Sequence, residues 1–248
     1  MRAEARPRRP IYVETRIRAP LDRVWDATQE PAHHQRWDVR FGSITYLPAV
    51  DGEPQRFTYA TTVAPGVTVA GTGETLGDRD RPDGTRWSGL RFWAADRRSI
   101  IEAGAGYWRY IPTGDGVRFL TRYDYRPRWG RAGEVVDRWA FRPVFGWATA
   151  WSFDRLRLWL DEGTAPERAR NRAIAHAAAS GALAGLWVHR GVTRLRTGPD
   201  RRAGAPARRA LATAALTAAV LGTARGRPSG RRPLRRAPDR QPAVGNLP

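Results

Sequence analysis

Few residues in this chain have the types and spacing for chemistry. His33 and His34, followed by Asp38, suggest a base with an orienting carboxylate, or a set of metal ligands. Adjacent histidines on a helix point about 100° apart, so the two do not converge on one ion. No third or fourth ligand stands nearby, and the pair reads as two surface residues of a short helix. His176 and His189 match no ligand spacing, and no metal or other cofactor is expected. Glu74 and Glu102 fall on predicted central strands, where acids are uncommon. Either would be a pocket acid fit for proton transfer if burial raised its pKa. The alternative is a solvent-facing residue paired with an Arg of the next strand, and alternation around the nearby glycines does not fix the face. Tyr123 is the third candidate for proton transfer.

Aromatic residues give a stronger signal. Phe57, Tyr59, Trp93, Trp108, Tyr110, Phe119, Tyr123, Trp147 and Trp151 fall on faces assigned inward. Buried Tyr hydroxyls and Trp N–H groups need partners. Several on one inner face suit a pocket for a planar, partly polar ligand. No phosphate loop, nucleophile elbow, zinc signature or dinucleotide fingerprint is present. GTGETLG (71–77) lies inside a strand run with no helix after it, and its glycines read as weak points or bulges.

The elements that must position these side chains follow from period. IYVETRIRA (11–19) alternates as a half-buried strand. Pro20 opens a helix with Leu21, Val24 and Trp25 on one face, and Pro31 ends it before a second short helix reaching Trp37. From residue 41 the period is two. Strands are predicted at 41–48, 53–63, 67–80, 85–95, 99–113 and 117–129, separated by turn signals such as Pro82-Asp83-Gly84 and Gly114-Asp115-Gly116. The last alternates most clearly, with Val117, Phe119, Thr121, Tyr123 and Tyr125 facing one way. Residues 130–160 then read as one long helix, or two pieces bent at Pro143. Its apolar stripe would be Val136, Trp139, Ala140, Val144, Trp147, Ala148, Trp151 and Leu158, with Trp147 and Trp151 as cavity walls. A strand meander of that length must curl, and the helix can lie in its concave side.

The opening VETRIRAPLDRVWDATQEPAHHQRWD, the glycine-containing middle strands and the Trp-rich final helix resemble the START-like, or SRPBCC, superfamily of polyketide cyclase/dehydrase-type proteins over about residues 10–160. The resemblance implies an α+β helix-grip fold: a curved antiparallel sheet of about seven strands wrapped round a long helix, with two short helices after strand 1. It also implies a hydrophobic cavity between sheet and helix. It does not imply one chemistry, since the superfamily includes enzymes, lipid carriers and sensors. RNRAIAHAAASGALAGLWVHRGVTRLRTGPD (170–200) is similar to the opening of DoxX-like membrane proteins, with Thr193-Arg194 where that family has Pro-Lys.

Charge and composition set the remaining expectations. The net charge is +19 with no lysine, so every cation is Arg. Seventeen of the 43 arginines, but only five of the 24 acids, follow residue 160. The excess is thus in the tail, and nucleic acid is not the expected partner. There is no cysteine, which excludes disulfides and thiolate zinc sites. MRAEARPRRP is basic but precedes no long apolar run, so no secretory signal is read and a cytoplasmic location is expected. The predicted organisation is a disordered basic segment at 1–9, a ligand-binding domain at 10–162, an Ala-rich helical segment at 163–224 and a disordered basic tail at 225–248. The apolar stretches 173–188 and 210–224 fall short of the ~20 residues a membrane span needs. They read as Ala-rich helices that pack loosely or lie on a surface, with membrane spanning as the lesser alternative, and their flanking arginines suit anionic lipid headgroups. The expected function is binding of a small hydrophobic or aromatic ligand. The alternatives are a cyclase/dehydratase-like enzyme using cavity Tyr, Glu or Arg, and nucleic-acid or membrane binding through the tail.

Overall fold

The computed structural model describes residues 9–64, 66–197 and 227–237. Its elements run β1 (Ile11–Ile17), α1 (Leu21–Gln29), α2 (Pro31–Trp37), β2 (Ser43–Tyr46), β3 (Arg56–Ala64), β4 (Val67–Asp80), β5 (Arg86–Trp93), β6 (Ile101–Thr113) and β7 (Gly116–Pro127). They continue with α3 (Gly130–Val136), a π turn (Asp137–Phe141), α4 (Arg142–Glu162) and α5 (Pro166–Thr197). The seven strands form one antiparallel sheet in the order β1-β7-β6-β5-β4-β3-β2. Consecutive hairpins build β2 to β7, and β1 returns to pair with β7 from Ile11↔Tyr123 to Ile17↔Val117. With α4 lying against β1 and the inner side of the sheet, this is the helix-grip arrangement.

The core forms where α4 meets β1, β6 and β7. Val13, Ile17, Tyr110, Val117 and Phe119 meet Phe153, Leu156 and Leu160. The Phe119 and Phe153 rings stack at 4.6 Å and 19°. Tyr110 is fully buried, and its hydroxyl ties β6 to α1 through Thr28 (2.7 Å) and Gln29 Nε2 (2.9 Å). Both α1 and α2 begin at a proline boundary, Pro20 before α1 and Pro31 at its own first turn, where the missing N–H costs nothing.

Much of the apolar stripe expected on the long helix lies outside the core, but Leu158 is buried and Val136, Val144 and Ala148 border a cavity against the sheet. Trp139 is 74% exposed, and Val136, Val144 and Trp147 are also exposed. The inward face carries Phe145, Thr149, Ser152, Phe153, Leu156 and Leu160. Two physical reasons explain the inversion. α4 is apolar on both sides, so periodicity alone does not choose between them. The π turn also inserts a residue before Pro143 and shifts the helical phase between α3 and α4. A wider turn is suited to that place, because Pro143 has no N–H and its ring clashes with an ordinary preceding turn. The π turn is pinned from inside by the buried Asp137, which accepts hydrogen bonds from Tyr125 OH (2.5 Å) and Arg142 Nε (3.0 Å).

Part of the tail expected to be disordered is ordered on the domain. Residues 227–237 are described, and Leu234 forms a two-way bridge with Glu14 on the free edge of β1 (N···O 2.9 and 2.8 Å). Ser229 N (2.7 Å) and Arg232 Nη1 (2.6 Å) both donate to Asp154 on α4, which has no exposed surface. This strap covers an edge strand that would otherwise present unpaired backbone groups. It also helps explain why Tyr12 and Glu14, on the outer face of β1, are buried, with Glu14 held by Arg118 (2.5 and 2.7 Å). The stretch has a single large aliphatic residue, Leu234, itself exposed, and its order comes from backbone pairing and one buried carboxylate. Asp154→Asn is expected to free the strap. Losing about 1.4 kcal/mol there accelerates tryptic cleavage within 229–236 about tenfold, read by timed proteolysis, with the rest of the domain cut at its former rate.

Residues 9–163 together with 229–237 make one compact unit, and a second begins at residue 164. Within the second, α5 is a 32-residue Ala-rich helix. Among the described residues no helix is long and apolar enough to cross a membrane. The apolar stretch at 210–224, most of the predicted N-terminal segment and the end of the tail lie outside the described residues.

Candidate functional site

Between the sheet and the first turns of α4 lies a cavity of about 540 Å³. Its walls are mostly aromatic and aliphatic: Phe41, Phe57, Tyr59, Leu90, Phe92, Trp108, Tyr123, Phe141 and Phe145 all line it. Val63, Trp129, Val136 and Val144 are both exposed and on the wall, so they mark its mouth. Trp129 there has a left-handed backbone (φ 68°), held by its indole N–H donating to Arg97 O at 3.0 Å.

The cavity has room because aromatic rings lie flat over glycines on the neighbouring strand. The register places Phe57 opposite Gly73 and Tyr59 opposite Gly71 on β3 and β4. Phe92 on β5 faces Gly104 on β6, and Gly106 faces Tyr123 on β7. A Cβ at Gly71, Gly73 or Gly104 would strike the ring of its partner, and one at Gly106 would strike the Cβ of Tyr123. Of the glycines expected to weaken the strands or mark bulges, Gly71 and Gly73 lower the inner wall, while Gly77 (φ 98°) stands at the β4 bulge, Thr75/Gly77.

One buried polar cluster interrupts the apolar wall. Asp38, just after α2, is fully buried and receives Arg40 Nε (2.9 Å), Arg40 Nη2 (2.5 Å), Arg40 N (3.1 Å) and Ser152 Oγ (3.2 Å). His34 Nε2 lies 3.2 Å from the other carboxylate oxygen, one helical turn before it. Burial alone would raise the Asp38 pKa, but Arg40 and His34 outweigh it and hold the carboxyl well below its usual range. Burial pushes the His34 pKa below its ordinary value, and Asp38 offsets this only in part, so the ring is neutral at pH 7. The imidazole is wedged among Trp37, Phe41 and Trp108, with ring centroids 4.9–5.4 Å away. The Arg40 guanidinium lies 5.3–5.7 Å over Phe41, Phe145 and Tyr123. Asp38 and Arg40 neutralise one another, so this end of the cavity is polar without net charge. Tyr123 OH shares a 2.7 Å hydrogen bond with Thr149 on α4. Burial pushes the Tyr59 pKa up to about 12, so its hydroxyl remains protonated.

The structure brings together some of the residues named from sequence and separates others. Phe57, Tyr59, Trp108 and Tyr123 line the cavity. Tyr110 and Phe119 share the inner face but sit in the packed core. Trp93 points outward, because on β5 the cavity-facing positions are Ser88, Leu90 and Phe92. Trp147 and Trp151 stack on each other at 6.1 Å on the far side of α4 and do not line this cavity; Trp147 lies against Gly230 of the strap. Glu74 lies between Arg56 (3.6 Å) and Arg91 (3.9 Å), and Glu102 binds Arg126 (2.8 Å). Neither reaches the cavity; each takes the paired, outward alternative. His34, read from sequence as a surface residue, is buried against the cavity. His33 lies apart, its Nδ1 3.2 Å from Asp26. Arg40 was missed. The signal for it was the Asp-x-Arg spacing after a helix carrying His four residues before the Asp.

No family model matches the chain. A curated relative, the uncharacterized membrane protein YndG of Bacillus subtilis (strain 168), is 42% identical over 190 residues, covering 76% of this chain and 71% of that protein. The chain belongs to the YndG family. Among solved structures, a STAR-related lipid transfer protein from Xanthomonas axonopodis is similar at 19% identity, over 64% of this chain and 89% of that one, with a TM-score of 0.49. The Zhui aromatase/cyclase from Streptomyces sp. R1128 is similar at 16% identity, over 60% of this chain and 96% of that one, with a TM-score of 0.40. Both likenesses concern fold alone. Neither the comparisons nor the described part of α5 supports the expected DoxX-like module.

Proposed function

We propose that this member of the YndG family binds a small, largely apolar molecule with a neutral hydrogen-bonding end. The observation that carries the reading is the cavity of about 540 Å³, with mostly aromatic and aliphatic walls and a buried Asp38–Arg40–His34 cluster at one end. The apolar body of the ligand gains by leaving water. Its carbonyl or hydroxyl meets the donors of Arg40 not used by Asp38, together with the Tyr123 and Tyr59 hydroxyls. A carboxylate is disfavoured, because Asp38 already neutralises Arg40. Native mass spectrometry of the full chain, with extraction of what it carries, tests this. A retained apolar compound is expected, and Ala148→Trp, which fills the cavity beside Phe145, is expected to abolish retention while the fold persists by circular dichroism. Equal retention by that variant removes the cavity as the site.

A second reading rests on the His34–Asp38 pair. With Nε2–H donated to Asp38, Nδ1 of the neutral ring is the basic position. A proton taken from carbon beside a ligand carbonyl would pass to Nδ1, with the oxyanion charge facing Arg40. Conversion of the extracted compound on incubation, lost in His34→Gln, would favour an enzyme over a carrier. Association with an anionic membrane surface through α5 belongs to the same proposal. It is supported by the exposed Arg168, Arg170 and Arg172 and by the relative's name.

A further inference from the structure

We propose that the pair Phe57–Gly73 sets the length of ligand this cavity admits, a role that rests on the ligand-binding reading above. Gly71, Gly73 and Gly104 support rings on the inner wall and Gly106 lies against the Cβ of Tyr123, but the four positions are not equivalent. A Cβ at Gly104 would press on the backbone oxygen of Asp124 (2.5 Å), and one at Gly106 on that of Arg122 (2.9 Å). At Gly71 the Trp93 backbone oxygen stands 2.8 Å away. Substitution at these three positions strains the sheet. At Gly73 the three nearest atoms, 2.2–2.8 Å away, all belong to the Phe57 ring. The ring is a movable side chain, and the cavity is the space beside it. Gly73 is therefore the position where one added methyl raises a wall without disturbing a strand.

Its location gives that wall a function. Phe57 lies towards the β2–β3 edge of the sheet, its ring 6.0 Å from Tyr46, which also lines the cavity. The Arg40 guanidinium lies over the Tyr123 ring on β7 (5.7 Å), while its backbone carbonyl accepts from Thr61 on β3 (2.6 Å). A ligand anchored by its polar end at Arg40 thus extends over β5 and β4 to the Phe57 ring. With Phe57 flat on Gly73, the floor is low and planar along that line, which suits an elongated flat apolar molecule. With the ring raised, only a shorter one fits.

Fluorescence titration of the full chain with two apolar probes tests this: diphenylhexatriene, long and flat, and phenylnaphthylamine, compact. The wild-type chain is expected to bind both. Gly73→Ala is expected to weaken diphenylhexatriene about tenfold or more and to change phenylnaphthylamine less than about threefold. Adding Phe57→Leu to Gly73→Ala removes the raised ring and should restore the long probe. Phe57→Leu alone guards against a Gly73→Ala chain that does not fold, and is expected to favour the long probe over the compact one relative to wild type. Equal loss of both probes in Gly73→Ala, failure of Phe57→Leu to restore the long probe, or an unchanged probe ratio in Phe57→Leu alone overturns the size role while leaving the cavity reading intact. No binding of either probe to the wild-type chain overturns both.

Discussion

Asp38→Ala is expected to cost about 3–5 kcal/mol of unfolding free energy, because it leaves the buried Arg40 guanidinium without its counter-charge. Ser152 and His34 lose a partner in the same step. Chemical denaturation with the slope unchanged reads the loss directly. The wild-type pH dependence should carry the same signature. Asp38 has a depressed folded pKa, so its contribution is complete above about pH 4 and is lost only as the pH falls well below the usual carboxylate range. His34 is also depressed, in its case because the folded state favours the neutral ring. Its contribution is complete above its usual value near 6.5 and declines as the pH falls below that. Acid destabilisation should therefore begin with His34, well before Asp38 protonates. In His34→Gln the decline just below pH 6.5 should disappear while the loss at much lower pH remains.

Phe153→Ala is expected to destabilise the domain by about 3–5 kcal/mol, as for other fully buried Phe truncations. Phe153 has no exposed surface and stacks on Phe119 at the centre of the core. Trp139→Ala, a larger truncation on the opposite side, should change stability by no more than about 0.5 kcal/mol. The comparison tests which face of the long helix is gripped. Equal losses at the two positions would mean that the Trp face also packs, and the assignment of the inner face would fall. Thermal or denaturant unfolding of both single variants under one condition is sufficient.

That contrast marks how far the sequence could be read. The order of elements, the seven strands, the short helices after β1 and the long helix after β7 were legible from period and turn residues. On β7 even the faces were legible, because Val117, Phe119, Thr121, Tyr123 and Tyr125 are all buried and alternate with Arg118, Arg122 and Asp124, Leu120 alone breaking the pattern. On β4 to β6 they were not. Glycine carries no hydropathy to alternate, so Trp93 was assigned to the wrong face and Glu74 and Glu102 to neither. The pairing of Phe57 with Gly73 is a matter of register between strands, which no window within one strand contains.

The sequence by itself determined local conformation: where the chain extends, where it coils, and that the result is an antiparallel sheet with one long helix to grip. These follow from side-chain period and from the backbone limits of Pro and Gly, both short-range. Tertiary structure alone decided which groups are deprived of water. Asp38 is buried partly by Ser152, 114 positions later. Asp154 is capped by Arg232, 78 positions later, and Tyr123 is brought over Gly106 by strand register. Desolvation depends on what the distant chain places over a residue. His34 and Arg40 therefore read as ordinary polar positions in the sequence and become part of a cavity wall only in the fold.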